Sequence, residues 1–162
     1  IMLPVGLGSA DAVREGEELG RGDTQAARRA GELGLSLALV FGAAGFGLFL
    51  CFPSLLARTL TSDVNVLEVT ERFLPLAGCV LFVDSLQAFA AGAVRGAGDT
   101  RAAFWSILVG HYFIGLPLGV LLAKGLGFGV RGLWIGLFFG LASVSIALGL
   151  RLTRRSTPSA VL

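Results

Sequence analysis

Apolar positions in this chain do not alternate with polar ones. They run together in four blocks, 33–57, 73–94, 102–123 and 132–150, and short polar segments between the blocks hold nearly every charge. Each block is about 19 to 25 residues long, which is what an α-helix rising ~1.5 Å per residue needs to cross a hydrocarbon core of roughly 30 Å. The pattern predicts an all-α membrane protein, a polytopic transmembrane helix bundle. The opening, IMLPVGLGSADAV, is apolar but too short to span, so residues 1–13 read as the tail of a truncated transmembrane helix. The expected order is then a loop at 14–32, a span at 33–57, a loop at 58–72, a span at 73–94, a loop at 95–101, a span at 102–123, a loop at 124–131, a span at 132–150 and a tail at 151–162.

Composition agrees with the pattern. Mean hydropathy is +0.80 and charged residues make up 15% of the chain, against about 25% in ordinary soluble domains. Orientation follows from Lys and Arg. One side receives Arg14, Arg21, Arg28, Arg29, Arg95, Arg101, Arg151, Arg154 and Arg155, and the other only Arg58, Arg72, Lys124 and Arg131. By the positive-inside rule the loops at 14–32 and 95–101 and the C-terminus are cytoplasmic. The net charge of +2 is therefore a property of loops, and no nucleic-acid partner is expected. Trp105 and Trp134 fall where interfacial aromatics belong. Cys51 and Cys79 read as small packing residues rather than a bridge.

The connections carry turn chemistry. GRGDTQAA at Gly20 and GAGDTRAA at Gly96 share the pattern G-x-G-D-T-x-A-A, placing Asp23 or Thr24, and later Asp99 or Thr100, as helix N-caps. A phosphate-binding role is not supported, because neither copy has the Lys or the flanking strand of a P-loop. In TSDVNVLEVTERF, Thr61 or Ser62 is the expected cap and Glu68 is spaced for an i,i+4 pair with Arg72. Pro75 is expected to bend the helix that follows, and Pro117 to kink a later one. Glycines recur at four-residue spacing at Gly115 and Gly119, and at Gly132, Gly136 and Gly140, which lets helices approach closely in lipid.

Chemistry is concentrated at one point. Asp84 is the sole formal charge within the four blocks and lies near the middle of its span. A carboxylate at the bilayer centre costs roughly 3 kcal/mol, so it marks either an ion or substrate path or a polar contact between helices. Gln87, three residues on, shares its face. His111, with Tyr112 beside it, is the other polar group at membrane depth and is expected to act as a polar relay, a cation repellent or a neutral hydrogen-bonder. There is no nucleophile–base pair, no metal-ligand cluster and one His, so an enzyme is not expected.

Read in order, AVREGEELGRGDTQAARRAG, FPSLLARTLTSD, FVDSLQAFAAGAVRGAGDTR, LVGHYFIGLPLGVLLA and GVRGLWIGL resemble the C-terminal portion of a bacterial MATE (multidrug and toxic compound extrusion) transporter. The strongest single motif is AAGAVRGAGDTR with the Asp and Gln upstream. The resemblance implies a partial C-terminal lobe of a twelve-helix protein, comprising the end of the eighth helix and the ninth to twelfth. It further implies a multi-pass protein of the bacterial inner membrane with a cytoplasmic C-terminus. The implied activity is cation-coupled export of organic, often cationic, compounds in exchange for H⁺ or Na⁺, with no other cofactor. Asp84 falls on the acidic position tied to cation coupling, and Gln87 on the Gln of the same motif, a ligand for substrate or cation. Partners implied are the lipid bilayer, an organic cation and the remainder of the same transporter, without which this chain alone is not expected to transport. The alternative is a non-transporting membrane helix-bundle module or truncated lobe in which Asp84 and Gln87 are structural. Asp11 and Glu15 depart from the family's pattern, and His111 stands where an aromatic residue is expected.

Overall fold

The computed structural model describes residues 2–156, and the side chains of residues 2–5, 7, 11, 15, 19, 24, 27, 28 and 153–156 fall outside that description. The acidic side chains of Asp11 and Glu15 are among these, as is the end of the tail. Among the described residues every regular element is helical. The order is α1 (Met2–Gly20), α2 (Thr24–Cys51), α3 (Pro53–Leu60), α4 (Val64–Gly96), α5 (Thr100–Leu108), a π-helical segment (Val109–Gly115), α6 (Leu116–Val120), a second π-helical segment (Leu121–Gly125) and α7 (Val130–Ser156). Four stretches are long and apolar enough to cross a membrane: Arg29–Cys51, Val64–Gly96, Thr100–Gly125 and Val130–Leu152.

Helix α4 is the hub. On one side it packs on α1 and α2, which also pack on each other, and on the other side it packs on α5 and α7. The rod from α5 through α6 lies along α7, while among the described residues the backbones of α1 and α2 stay apart from that of α7. Glycine makes these seams close. A Cβ at Gly8 would lie 2.7 Å from the Ala88 carbonyl oxygen, one at Gly96 2.5 Å from that of Ala12, and one at Gly140 2.9 Å from that of Gly110. Backbones meet where lipid gives helices no hydrophobic reason to associate, so close dispersion contact carries the assembly. The tightest apolar packing sits where α4, α5 and α7 converge, around Ala90, Ala91, Val94, Ala102, Ala103, Val144 and Leu148.

The repeated G-x-G-D-T pattern has a physical explanation. In the second copy the Gly98 N–H donates to the Arg95 carbonyl at 2.9 Å and the Asp99 N–H to that of Val94 at 3.0 Å, with Gly98 at φ +82°. This is a Schellman stop. The same aspartate opens the next helix, its Oδ1 accepting from the Ala102 N–H at 3.1 Å. The first copy is built alike: Gly22 has φ +79°, the Asp23 N–H donates to the Glu18 carbonyl at 3.0 Å, and Asp23 Oδ1 accepts from the N–H groups of Gln25 and Ala26. Two residues thus end one helix and start another, which makes the shortest reversals in the chain. The second is fastened further by Arg151, whose Nε donates to Asp99 Oδ2 at 3.0 Å and ties the end of α7 to this turn.

Helix ends differ from the apolar blocks in several places. The segment 14–32 is no open loop: helix runs to Gly20, turns over 21–23 and resumes at Thr24. The block 33–57 is broken at Phe52, where Pro53 starts the short helix α3. The cap before α4 is Asp63, accepting from the Asn65 N–H at 2.9 Å; Thr61 instead accepts from the Asp63 N–H at 3.2 Å. Glu68 and Arg72 form the expected pair. Pro75 lies inside a helix that runs unbroken from Val64 to Gly96. At Pro117 the accommodation is a widened π turn on each side of α6. The loop at 124–131 shrinks to residues 126–129, with Gly127 and Gly129 at positive φ. Helix also continues from 151 to Ser156, and 157–162 lie outside the described residues. Trp134 is no simple interfacial anchor, since it packs against the Val80, Val83 and Leu141 cluster. Cys51 and Cys79 are free thiols.

Candidate functional site

Helix α4 positions the acidic group. With about 3.6 residues per turn, one face of α4 follows Val80, Val83, Ala90, Ala91 and Val94 onto Leu141, Val144 and Leu148 of α7. Another follows Ala88, Gly92 and Gly96 onto Gly8, Ala12 and Gly16 of α1. Asp84 stands one turn from Val80 and one turn from Ala88, at the α4 edge between α1 and α7. Among the described residues the backbones of those two helices stay apart. Asp84 is half-buried there, and among the described residues its carboxylate has no hydrogen bond and no ion pair. The imidazole of His111 lies within electrostatic reach of it.

Gln87 is 8% exposed, and its Oε1 is fully buried without a hydrogen-bond partner among the described residues. Leaving a buried amide oxygen unpaired costs about 1–3 kcal/mol. Buried serines nearby show the usual alternative. Ser85, at 2% exposure, donates to the Leu81 carbonyl at 2.9 Å, and Ser145 of α7 donates to the Leu141 carbonyl at 3.0 Å, with the Val83 carbonyl at 3.4 Å. Helix carbonyls satisfy these hydroxyls, whereas an amide oxygen needs a donor or a cation. Asp84 and Gln87 occupy i and i+3, neighbours on a helix surface. Two hard oxygens therefore project from one stretch of α4, suited to a proton or a monovalent cation. No group of three or more His, Cys, Asp or Glu able to hold a metal ion exists among the described residues.

His111 and Tyr112 part company in space. His111 is partly buried with its Nδ1 3.0 Å from the Ile107 carbonyl oxygen, while Tyr112 is 64% exposed. His111 sits in the π-helical segment, where the Leu116 N–H reaches back to the His111 carbonyl, five residues earlier. Widened turns of this kind recur at functional sites. Sequence reasoning missed two features: Ser145, which links α7 to the turn of α4 just before Asp84, and a cavity of about 190 Å³ lined by His111, Gly115, Leu116, Gly119, Leu133, Leu137 and Gly140. The hydroxyl in the otherwise apolar SVS of α7 was a readable signal for the first. The second depends on how two helices cross, which no local pattern records.

Known proteins share both sequence and shape with this chain. A family model named MatE matches residues 1–121. The probable multidrug resistance protein NorM of Xanthomonas axonopodis pv. citri is 37% identical over 155 residues, covering 96% of this chain and 34% of NorM. The multidrug resistance protein PmpM of Pseudomonas aeruginosa is 36% identical over 157 residues, covering 94% and 33%. The crystal structure of the eukaryotic MATE transporter AtDTX14 superposes with a TM-score of 0.80 at 31% identity, covering 93% of this chain and 34% of that one. A MATE structure in the bent conformation superposes at 0.85 with 22% identity and shows the same fold, over 96% of this chain and 35% of that one. This chain spans about a third of the length of the relatives it matches.

Proposed function

This chain belongs to the MATE family, and from that premise we propose that it supplies the C-terminal third of a multi-pass, cation-coupled antiporter that exports organic, often cationic, compounds across a bacterial inner membrane. It acts with the remaining helices of the same transporter and with the surrounding lipid, needs no cofactor beyond the coupling ion, and performs no enzymatic step. The observation that carries the reading is Asp84: an acidic side chain inside an apolar span, at the edge of α4 between α1 and α7, with no ion-pair partner among the described residues. A structural carboxylate in lipid pairs or hydrogen-bonds with a neighbouring helix; this one does neither here.

The chemistry follows from one carboxylate serving one cation at a time. Ionised, Asp84 attracts an organic cation to this edge, and the low dielectric of the surroundings strengthens that attraction. When a proton or Na⁺ takes the carboxylate, the charge that held the organic cation is cancelled and the substrate leaves. Exchange is thus built into competition for a single site. Gln87 Oε1 would turn toward the bound cation or toward the hydroxyl of the protonated acid, gaining the partner it otherwise lacks. A proton needs only these groups; Na⁺ needs additional oxygens from helices outside this chain.

The test is efflux of ethidium from proteoliposomes holding the full-length transporter that carries this chain, driven in turn by a pH gradient and by a Na⁺ gradient. Asp84→Asn is expected to insert normally and to lose gradient-driven efflux by at least tenfold under the gradient that drives the wild type. Efflux unchanged in the variant removes Asp84 from the coupling step and returns it to a packing role.

A further inference from the structure

The cavity between the α5–α6 rod and α7 is not used by the exchange at Asp84, and its walls have a definite chemistry. The rod contributes His111, Gly115, Leu116 and Gly119 and α7 contributes Leu133, Leu137 and Gly140, so the lining is apolar apart from His111. The cavity's volume, about 190 Å³, is below the roughly 300–1,000 Å³ of a drug-sized site, so it takes a ring or two rather than a whole ligand.

The tautomer of His111 is set by its neighbour. A carbonyl oxygen only accepts, so the Nδ1 that lies 3.0 Å from Ile107 O carries the hydrogen and donates it. In the neutral ring Nε2 is then a bare acceptor, and no partner for it is present among the described residues. α7 holds no formal charge between Arg131 and Arg151, so the cavity offers apolar walls and one hydrogen-bond acceptor.

We propose that this cavity is a substrate subsite that receives an aromatic ring of an organic cation, with His111 Nε2 accepting a hydrogen bond from an N–H on that ring. The proposal rests on the antiporter reading given above, and binding measured without any gradient separates the two. Ethidium is planar and carries ring amines, whereas tetraphenylphosphonium is a non-planar cation with no N–H. Binding of both is measured on the purified full-length transporter, by fluorescence for ethidium and by equilibrium dialysis for tetraphenylphosphonium. His111→Phe keeps an aromatic ring but removes the acceptor, and is expected to weaken ethidium binding about tenfold while leaving tetraphenylphosphonium within twofold. Gly119→Ala, whose added Cβ would meet the Leu133 Cα at an ordinary 3.4 Å, is expected to fold as the wild type does and to take up part of the cavity, weakening ethidium again. If both variants bind ethidium as the wild type does, or lose the two cations equally, the subsite is wrong while the antiporter stands. If the wild type binds neither cation, the antiporter reading falls and the subsite with it.

Discussion

At the scale of single residues, Gln87 separates a structural from a functional account of the α4 polar pair. A Gln kept to join helices would have its oxygen paired with a donor on a neighbour, and truncating it would weaken the fold. Here Oε1 is buried and unpaired among the described residues, a state that costs about 1–3 kcal/mol rather than contributing stability. Gln87→Leu, close in volume and free of polar atoms, is therefore expected to leave the thermal midpoint of the detergent-solubilised protein unchanged or raised, while gradient-driven efflux drops several-fold. A lowered midpoint with normal efflux in the survivors would assign Gln87 to packing. Asp84 and Gln87 were legible in the sequence because a charge and an amide stand out in a span whose other residues are apolar apart from Ser85. The environment of His111 was not, since its acceptor nitrogen, its widened turn and its cavity arise from Pro117 and from the crossing of two helices.

At the scale of elements, the two G-x-G-D-T reversals depend on backbone conformation more than on contacts. Gly22 and Gly98 have φ near +80°, and a Cβ at either would meet nothing within 4 Å. Alanine there pays only the left-handed backbone, roughly 1–2 kcal/mol. Gly149 offers the control, because it too has open space but sits within α7, where alanine is favoured by about 0.5–1 kcal/mol. Gly22→Ala and Gly98→Ala are expected to lower the thermal midpoint and Gly149→Ala to raise it; three shifts of the same sign would refute this account of the turns. In the second reversal Arg151 has a half-exposed side chain, so Arg151→Ala is expected to cost under about 1 kcal/mol. Asp99→Ala loses the N-cap as well as the ion pair and is expected to cost more, adding roughly 1 kcal/mol for the cap. Capping aspartates and apolar blocks were readable because each acts over a few residues. Helix continuing through 14–20, the break at Phe52 and the π segments were not, because a charge-free block reports what lipid tolerates and says nothing of where hydrogen bonding stops.

At the scale of the whole molecule, α4 lies between two helix groups whose backbones stay apart among the described residues, α1 with α2 and the α5–α6 rod with α7. On the proposed antiporter reading the Asp84 edge must open to opposite sides of the membrane in turn, which requires a definite orientation. Nine Lys and Arg residues fall on one side and four on the other, and each basic residue on the translocated side carries a cost that the opposite arrangement would more than double in number. The fold also places Arg151 beside Asp99, so the C-terminal end of α7 and the α4–α5 turn share one side whatever the orientation. In the full-length protein with all native cysteines replaced by serine, including Cys51 and Cys79, single cysteines at Arg58 and Lys124 are expected to react with an impermeant maleimide added to intact cells. Cysteines at Arg21 and Arg101 are expected to react only after the membrane is opened. Labelling in the reverse order would turn the chain over and put the Asp99–Arg151 tie outside. Labelling of Arg58 and Arg101 from the same side would be worse for the account, since it would mean that α4 does not cross and that Asp84 never lies within the lipid.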